Sequence, residues 1–255
     1  MAGGVMAVFA HPDDESLLAG GVLAACAAAG RRVAIVSMTR GERGPSELPQ
    51  LSGQGLGEVR EGELLAAARV LGASAAECLD YPDGELADAD EGQAAHALRL
   101  LLERERPEAV ISFSEEGLYW HPDHLAVLRF LTTALELLHK GGAQAWLYGA
   151  TWPEGHAGRL VSLMRARGLP ADLWGIEPDA FGAPADSITI SLDVRRFLPA
   201  KLAALRGYAS QIGPSHLLST LPNDLADEFL GCEYFVRLRP EGARRDWLAE
   251  ALPKP

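Results

Sequence analysis

The stretch "VFAHPDDESLLAGG", residues 8–21, interrupts an apolar run with a histidine, a proline and three consecutive acids before helix-forming residues resume. Residues 5–10 ("VMAVFA") upstream read as a buried strand, 16–29 downstream as an Ala/Leu-rich helix, and "RRVAIVSMT" (31–39) as a second strand. Strand, crossover helix and strand make a βαβ unit. The alternation continues with a helix over 58–71 stopped by Gly72, a strand near 77–81, a helix over 91–105 and the strand "EAVISFS" (108–114). A helix over 122–139, stopped by Gly141 and Gly142, and the strand "AWLYGATW" (145–152) follow. The expected fold class is α/β, a Rossmann-like open and mostly parallel sheet with helices on both faces.

Beyond residue 152 the pattern weakens. Residues 153–186 are rich in Pro and Gly and read as an excursion or substrate loop. A strand over 187–192, helices over 194–209 and 222–230 and a strand over 232–239 complete the expectation. The whole of 1–255 reads as one domain, with 1–152 bearing the motifs and 153–255 completing the pocket.

With 48% hydrophobic residues in 255, the chain is able to bury a full core. Cys26, Cys78 and Cys232 are odd in number and form no CxxC pair, which argues against a disulfide framework and a thiolate zinc site and favours a reducing cytosol. The N-terminus lacks a basic start and no apolar run reaches the ~18 residues of a membrane span, so the expected location is cytoplasmic. A net charge of −12, with no offsetting Lys/Arg cluster, disfavours nucleic acid as a partner. Apolar residues expected at the surface of the C-terminal third leave a homo-oligomer open.

His11, Asp13 and Asp14 fall just past the first strand's C-terminal end, where open parallel sheets bind ligands. Two readings compete there: the acids cap the following helix and complement its dipole, or they carry chemistry. Pro12 stiffens the turn in both. The stretch "GLYWHPDHLAVL" (117–128) repeats the His-Pro-Asp theme directly after "AVISFS", at the same sheet edge. A catalytic zinc site takes three protein ligands from His, Asp or Glu and keeps one position for water, and the two turns hold enough imidazole and carboxylate for it. The loop 40–57, "RGERGPSELPQLSGQGLG", leaves the second strand at this same edge. A dinucleotide-binding oxidoreductase is disfavoured, because the acidic first turn repels a pyrophosphate and "GQGLG" (53–57) lacks the full glycine fingerprint.

"AHPDDE" (10–15) together with "HPDH" (121–124) resembles the signature motifs of the zinc-dependent LmbE-like, or PIG-L, de-N-acetylase family. The resemblance extends through "TRGERG" (39–44), "REGELLAAARVLG" (60–72) and "YPDGEL" (81–86), and resumes at "KLAALRGYASQ" (201–211). It implies zinc held by His11, Asp14 and His124, with Asp13 as general base. It also implies His121 as the group assisting the tetrahedral intermediate and protonating the leaving amine, supported by Asp83, and Tyr119 as an oxyanion contact. Glu42 and Arg60 match substrate-binding positions. Asp123 is read as a cap or as a residue that orients a ligand. His/Asp sites also accept Fe2+, Co2+ or Mn2+.

Asp83 in "PDG" also fits a plain turn, and Tyr119 a pocket wall. Trp120 stands where many relatives have Gly, and Tyr208 where the family often has His. His156 and His216 are isolated and read as loop histidines. The implied function is removal of an N-acetyl group from an N-acetylglucosamine-containing small molecule. An amidase cleaving a larger acyl group, such as a thiol-conjugate amide, and a metal-binding relative without turnover are the alternatives.

Overall fold

The computed structural model describes residues 4–48, 50–214, 216–240 and 246–252; the first and last three residues of the one-domain reading lie outside these. The N-terminal half runs β1 (Gly4–Phe9), α1 (Asp14–Ala28), β2 (Val33–Thr39), α2 (Gln54–Val70), β3 (Ala75–Tyr81), α3 (Glu91–Glu105), β4 (Pro107–Phe113), α4 (Gly117–Trp120) and α5 (Pro122–Lys140). It is followed by β5 (Trp146–Thr151), α6 (His156–Ala166), β6 (Ile190–Asp193), α7 (Leu198–Arg206), α8 (Leu217–Thr220), α9 (Asn223–Phe229), β7 (Cys232–Arg239) and α10 (Trp247–Ala251).

The strands form one seven-stranded sheet in the order β3-β2-β1-β4-β5-β7-β6. β1 to β5 pair in parallel, and β7 runs antiparallel to both β5 and β6. β2 and β1 are apolar on both faces, as a strand covered on each side by helices must be: every residue of β2 is buried. α1 and α2 both pack against α7, and α3 packs against α5, the two-faced arrangement that right-handed crossovers produce. α1 is buried from Asp14 to Cys26, so its low amphipathicity reflects burial on all sides.

The chain leaves β1 towards β2 and β3, then returns to place β4 on β1's other side. The order therefore reverses between β1 and β4, the crevice where such sheets bind ligands. Both His-Pro-Asp turns open there.

Three expectations need correction. Residues 153–186 are not wholly irregular, because Ala157, Leu160, Val161 and Met164 bury one face of α6. α2 begins at Gln54, so part of the expected loop is helical. The large hydrophobics exposed among the described residues are Leu65, Val70, Leu100, Trp120 and Leu137, none of them in the C-terminal third. No described helix is long and apolar enough to cross a membrane.

Candidate metal centre and active site

The first turn places His11 and Asp13 before α1 and Asp14 as its first residue. Asp13 holds the N-cap position, yet its side chain makes no capping hydrogen bond, which removes the helix-capping reading for it. Its backbone lies at φ 120° and ψ −30°, a region that costs a side-chain-bearing residue about 1–3 kcal/mol. Asp14 Oδ2 instead accepts the His11 main-chain N–H at 2.9 Å, folding the turn onto the metal-facing side.

The second turn is built differently. α4 winds through positive φ at Gly117, Leu118 and Trp120, delivering Tyr119 and His121 to the crevice while leaving Trp120 65% exposed. Gly117 sits at φ +56°, and a Cβ there would lie 3.0 Å from His124 Cβ. Its carbonyl is thereby free to meet His124 Nδ1 at 2.9 Å. A carbonyl only accepts, so His124 carries its proton on Nδ1 and turns the Nε2 lone pair inward. The Phe113 ring stacks on His124 at 3.8 Å and fixes its plane.

His11 is oriented by the same logic. Its Nε2 lies 3.1 Å from Asp83 Oδ1 and 3.2 Å from Asp123 Oδ2, so Nε2 donates and Nδ1 faces the cluster. Carboxylate partners of this kind set the tautomer of a ligating histidine. Asp123 is wholly buried and also accepts the Gly84 and Leu86 amides at 2.8 and 3.1 Å, tying the second turn to the loop after β3. The resemblance placed Asp83 behind His121; its carboxylate bonds His11 and accepts the Arg43 amide at 2.8 Å.

His124 Nε2 is 3.3 Å from His11 Nδ1 and 3.7 Å from Asp14 Oδ1, while His11 Nδ1 is 3.5 Å from Asp14 Oδ2. Four ligands around zinc at about 2.0–2.1 Å stand roughly 3.4 Å apart, so this spacing fits a cation between them. Charge points the same way, since three aspartates converge on two imidazoles. Without a cation, His11 takes up the balance. Burial opposes its protonation, but hydrogen bonds to Asp123, Asp14 and Asp83 raise its pKa well above the ordinary value. Asp14, despite burial, is held down at about 2 by His124 and His11. The donor set therefore fits a divalent metal. His121 also brings a ligating nitrogen within 4.8 Å of those of His11 and His124.

Asp13 and His121 flank the cluster. Burial raises the Asp13 carboxyl to about 7 against the opposing Arg60 guanidinium, whose Nη2 lies 3.1 Å from Asp13 Oδ2. His121 Nδ1 accepts the Asp123 amide at 3.2 Å, so the neutral ring carries its proton on Nε2. Burial and the neighbouring His11 charge lower the His121 pKa. In the cation-free site His121 is thus a neutral ring with an Nε2–H donor.

A cavity of about 490 Å³ opens over this cluster, lined by His11, Asp13, Asp14, Asp83, Tyr119 and His121 at its polar end. Leu118, Trp174 and Ile176 form an apolar wall, and Arg43, Arg60 and Gln211 also line it. Burial raises the Tyr119 pKa, keeping the phenol protonated. Arg60 is only 4% exposed and donates to Pro12 O, Gly41 O and Asp13, so it braces the turn. Glu42 does not line this cavity; it accepts the Asp83 amide at 2.9 Å and borders a separate one of about 310 Å³. His156 and His216 also stay out, His156 bonding Phe229 O at 2.9 Å and His216 capping α8. Arg43, Trp174 and Ile176 were not anticipated, because a tryptophan in a Pro/Gly-rich segment carries no signal of where it points.

A doubly wound sheet with a cation-seeking His/Asp cluster and an adjacent buried carboxyl at its switch point defines a class of metal-dependent hydrolytic enzymes. A family model described as GlcNAc-PI de-N-acetylase matches residues 6–135, and the chain belongs to this PIG-L family of deacetylases, which are amide hydrolases. A 1D-myo-inositol 2-acetamido-2-deoxy-alpha-D-glucopyranoside deacetylase of Thermomonospora curvata is 33% identical, the match covering 92% of this chain and 90% of that protein. Among solved structures, a conserved protein of Thermus thermophilus shares 25% identity and a TM-score of 0.63, over 95% of this chain and 100% of that one. A 4-carboxy-2-hydroxymuconate hydratase from Pseudomonas putida superposes with a TM-score of 0.66 at 21% identity, over 96% and 99%. One fold thus carries different reactions, and the site must decide between them.

Proposed function

We propose that this chain is a zinc-dependent de-N-acetylase that hydrolyses the 2-acetamido group of an N-acetylglucosamine glycoside of about two rings. The observation that carries this reading is the meeting of His11 Nδ1, His124 Nε2 and Asp14 at 3.3–3.7 Å beside the buried Asp13. The relatives' named activity and the room in the cavity agree with it, since pockets of about 300–1,000 Å³ enclose small molecules.

His11, Asp14 and His124 would hold the ion, which when bound supplies Lewis acidity for the amide carbonyl and lowers the pKa of water. Asp13 takes the proton from the attacking water as its oxygen bonds the acetyl carbon. His121 Nε2–H and the Tyr119 hydroxyl, both at the cavity's polar end, donate to the oxyanion that develops. Asp13 then returns the proton to the nitrogen as the C–N bond breaks, releasing acetate and a free amine. One carboxyl serving as base and then acid suits a group held near neutrality. The wall of Leu118, Trp174 and Ile176 receives the ring attached to the amino sugar. The described cysteines are unpaired thiols, which suits a reducing compartment.

The test is acetate release by the zinc-loaded protein from an N-acetylglucosaminyl inositol, diacetylchitobiose and free N-acetylglucosamine. Release from a glycoside, lost in Asp13→Ala with zinc retained, is the expected result. Absence of release from all three, with zinc bound, overturns the reading.

A further inference from the structure

Glu15, the third acid of the first turn, has no part in the chemistry above, yet it is 1% exposed. Its carboxylate is fully engaged: Oε2 accepts the Asp13 main-chain N–H at 3.1 Å, and Oε1 accepts Ser16 Oγ at 2.5 Å and the Tyr208 hydroxyl at 2.6 Å. Tyr208 is itself buried and follows α7, so it reaches the turn from almost two hundred residues away. A solvated acid placed only to complement a helix dipole needs none of these partners.

The same residue bears on Asp13. A side-chain-bearing residue leaves φ 120°, ψ −30° unless its surroundings hold it there. Two anchors do so. Arg60 Nη2 donates to Pro12 O at 2.7 Å and to Asp13 Oδ2 at 3.1 Å, gripping the turn from outside the helix. Glu15 grips the Asp13 N–H from within it. Residues beyond 194 brace α1 again further along: Glu233 accepts the Gly21 and Val22 amides at 2.7 and 2.8 Å, and Lys201 Nζ at 2.7 Å. The helix that presents the site is thus held at its start and its middle by the C-terminal half.

We propose that Glu15 and Tyr208 form a positioning pair that locks the Asp13 backbone in its left-handed geometry and so aims the Asp13 carboxylate at the attacking water. The pair touches no substrate, and its kinetic consequence rests on the reading of Asp13 as the base. Through Tyr208, the C-terminal half acts on the turnover rate as well as on the pocket wall.

The experiment combines kinetics, zinc content and crystal structures of Glu15→Ala, Glu15→Gln and Tyr208→Phe. Misplacing a catalytic group by about 1 Å costs about 100-fold, and that is the kcat loss expected for Glu15→Ala, with KM within about 2-fold of wild type and zinc stoichiometry unchanged. Tyr208→Phe, which removes one hydroxyl, loses less, about 10-fold. Glu15→Gln recovers part of the rate, because its amide oxygen still accepts the Asp13 N–H. In the Glu15→Ala structure Asp13 relaxes to negative φ. An unchanged kcat, a loss of zinc parallel to the loss of rate, or Asp13 remaining at φ near 120° overturns the proposal. Should Glu15→Ala not fold, Tyr208→Phe carries the same readouts. If the wild type releases no acetate, the reading of Asp13 as base fails, while the Asp13 backbone in the variants still decides the pair.

Discussion

The two turns at the switch point share a His-Pro-Asp core but divide the labour. In the first, strain and burial are concentrated on an acid, Asp13, whose carboxyl is raised to about 7. In the second, each ring nitrogen is assigned by a backbone group: His124 Nδ1 by the Gly117 carbonyl and His121 Nδ1 by the Asp123 amide. In the proposed reaction the first turn holds the group that changes its protonation state, and the second holds groups that keep theirs. Proton transfer needs a pKa near the working pH, whereas metal ligation needs a fixed lone pair.

The sharpest way to break this division is to truncate one residue in each turn. His124→Ala removes a lone pair, and the metal is expected to be lost together with activity, by more than the about 10–100-fold that loss of an outer-shell partner costs. Asp13→Ala keeps the metal and loses about 10²–10⁴-fold in rate, the range of a general base. Metal analysis beside kinetics separates them; equal zinc occupancy in the two variants would collapse the distinction. Gly117→Ala comes next. It leaves every ligand in place but strains φ +56° and pushes on His124 Cβ. Zinc affinity should fall about 10-fold through misorientation of the imidazole, with kcat at saturating zinc nearly kept. Wild-type affinity in a competitive chelator titration would sink the claim that the backbone assigns this ring.

Asp123→Asn probes the link between the turns. Gly84 N–H and His11 Nε2 share Asp123 Oδ2 while Leu86 N–H uses Oδ1, so the asparagine sets an N–H against Leu86 and leaves His11 a weaker acceptor, or sets an N–H against both Gly84 and His11. An affinity loss of about 10-fold or less is expected, and a similar loss in Asp83→Asn. If Asp83→Asn instead lowers kcat at full zinc occupancy, Asp83 belongs with His121 after all.

What was legible in the sequence follows from how local each cause is. The strands and their order of appearance, and the placing of His11, Asp14 and His124 at one sheet edge, depend on short-range periodicity and on the rule that parallel strands end together. α6 is hidden in the sequence although its Ala157, Leu160, Val161, Met164 spacing is helical, because the Pro and Gly residues on both sides of it signal a loop. The partners of Asp83, the withdrawal of Glu42 from the cavity and the Tyr208–Glu15 contact are long-range hydrogen bonds. Spacing along a chain does not encode them. Trp174 is half-buried on the cavity wall for the same kind of reason: its place depends on a loop that packs from 163 residues beyond His11 in the sequence.

The smallest expected effect uses a histidine outside both turns to isolate what burial alone does. His11 is buried among three aspartates and its pKa rises; burial takes His124 down to about 3 against the Asp14 charge. His156 has burial without a facing carboxylate cluster. Desolvation lowers its pKa, with the Lys201 and Arg159 charges acting the same way against the Phe229 carbonyl and the Glu228 charge. A histidine depressed in the folded state stabilises the fold above its unfolded pKa of about 6.5, and that contribution is lost as pH falls through the folded value. His156→Phe removes the titration along with the Phe229 hydrogen bond, and the hydrogen-bond cost is the same at every pH. The melting-temperature gap between wild type and His156→Phe, measured for the metal-free proteins, should therefore narrow from pH 7.5 to pH 5.5 as the wild type loses its advantage. A gap that stays constant would mean His156 titrates alike in the folded and unfolded chain, and burial would no longer account for the fall at His124.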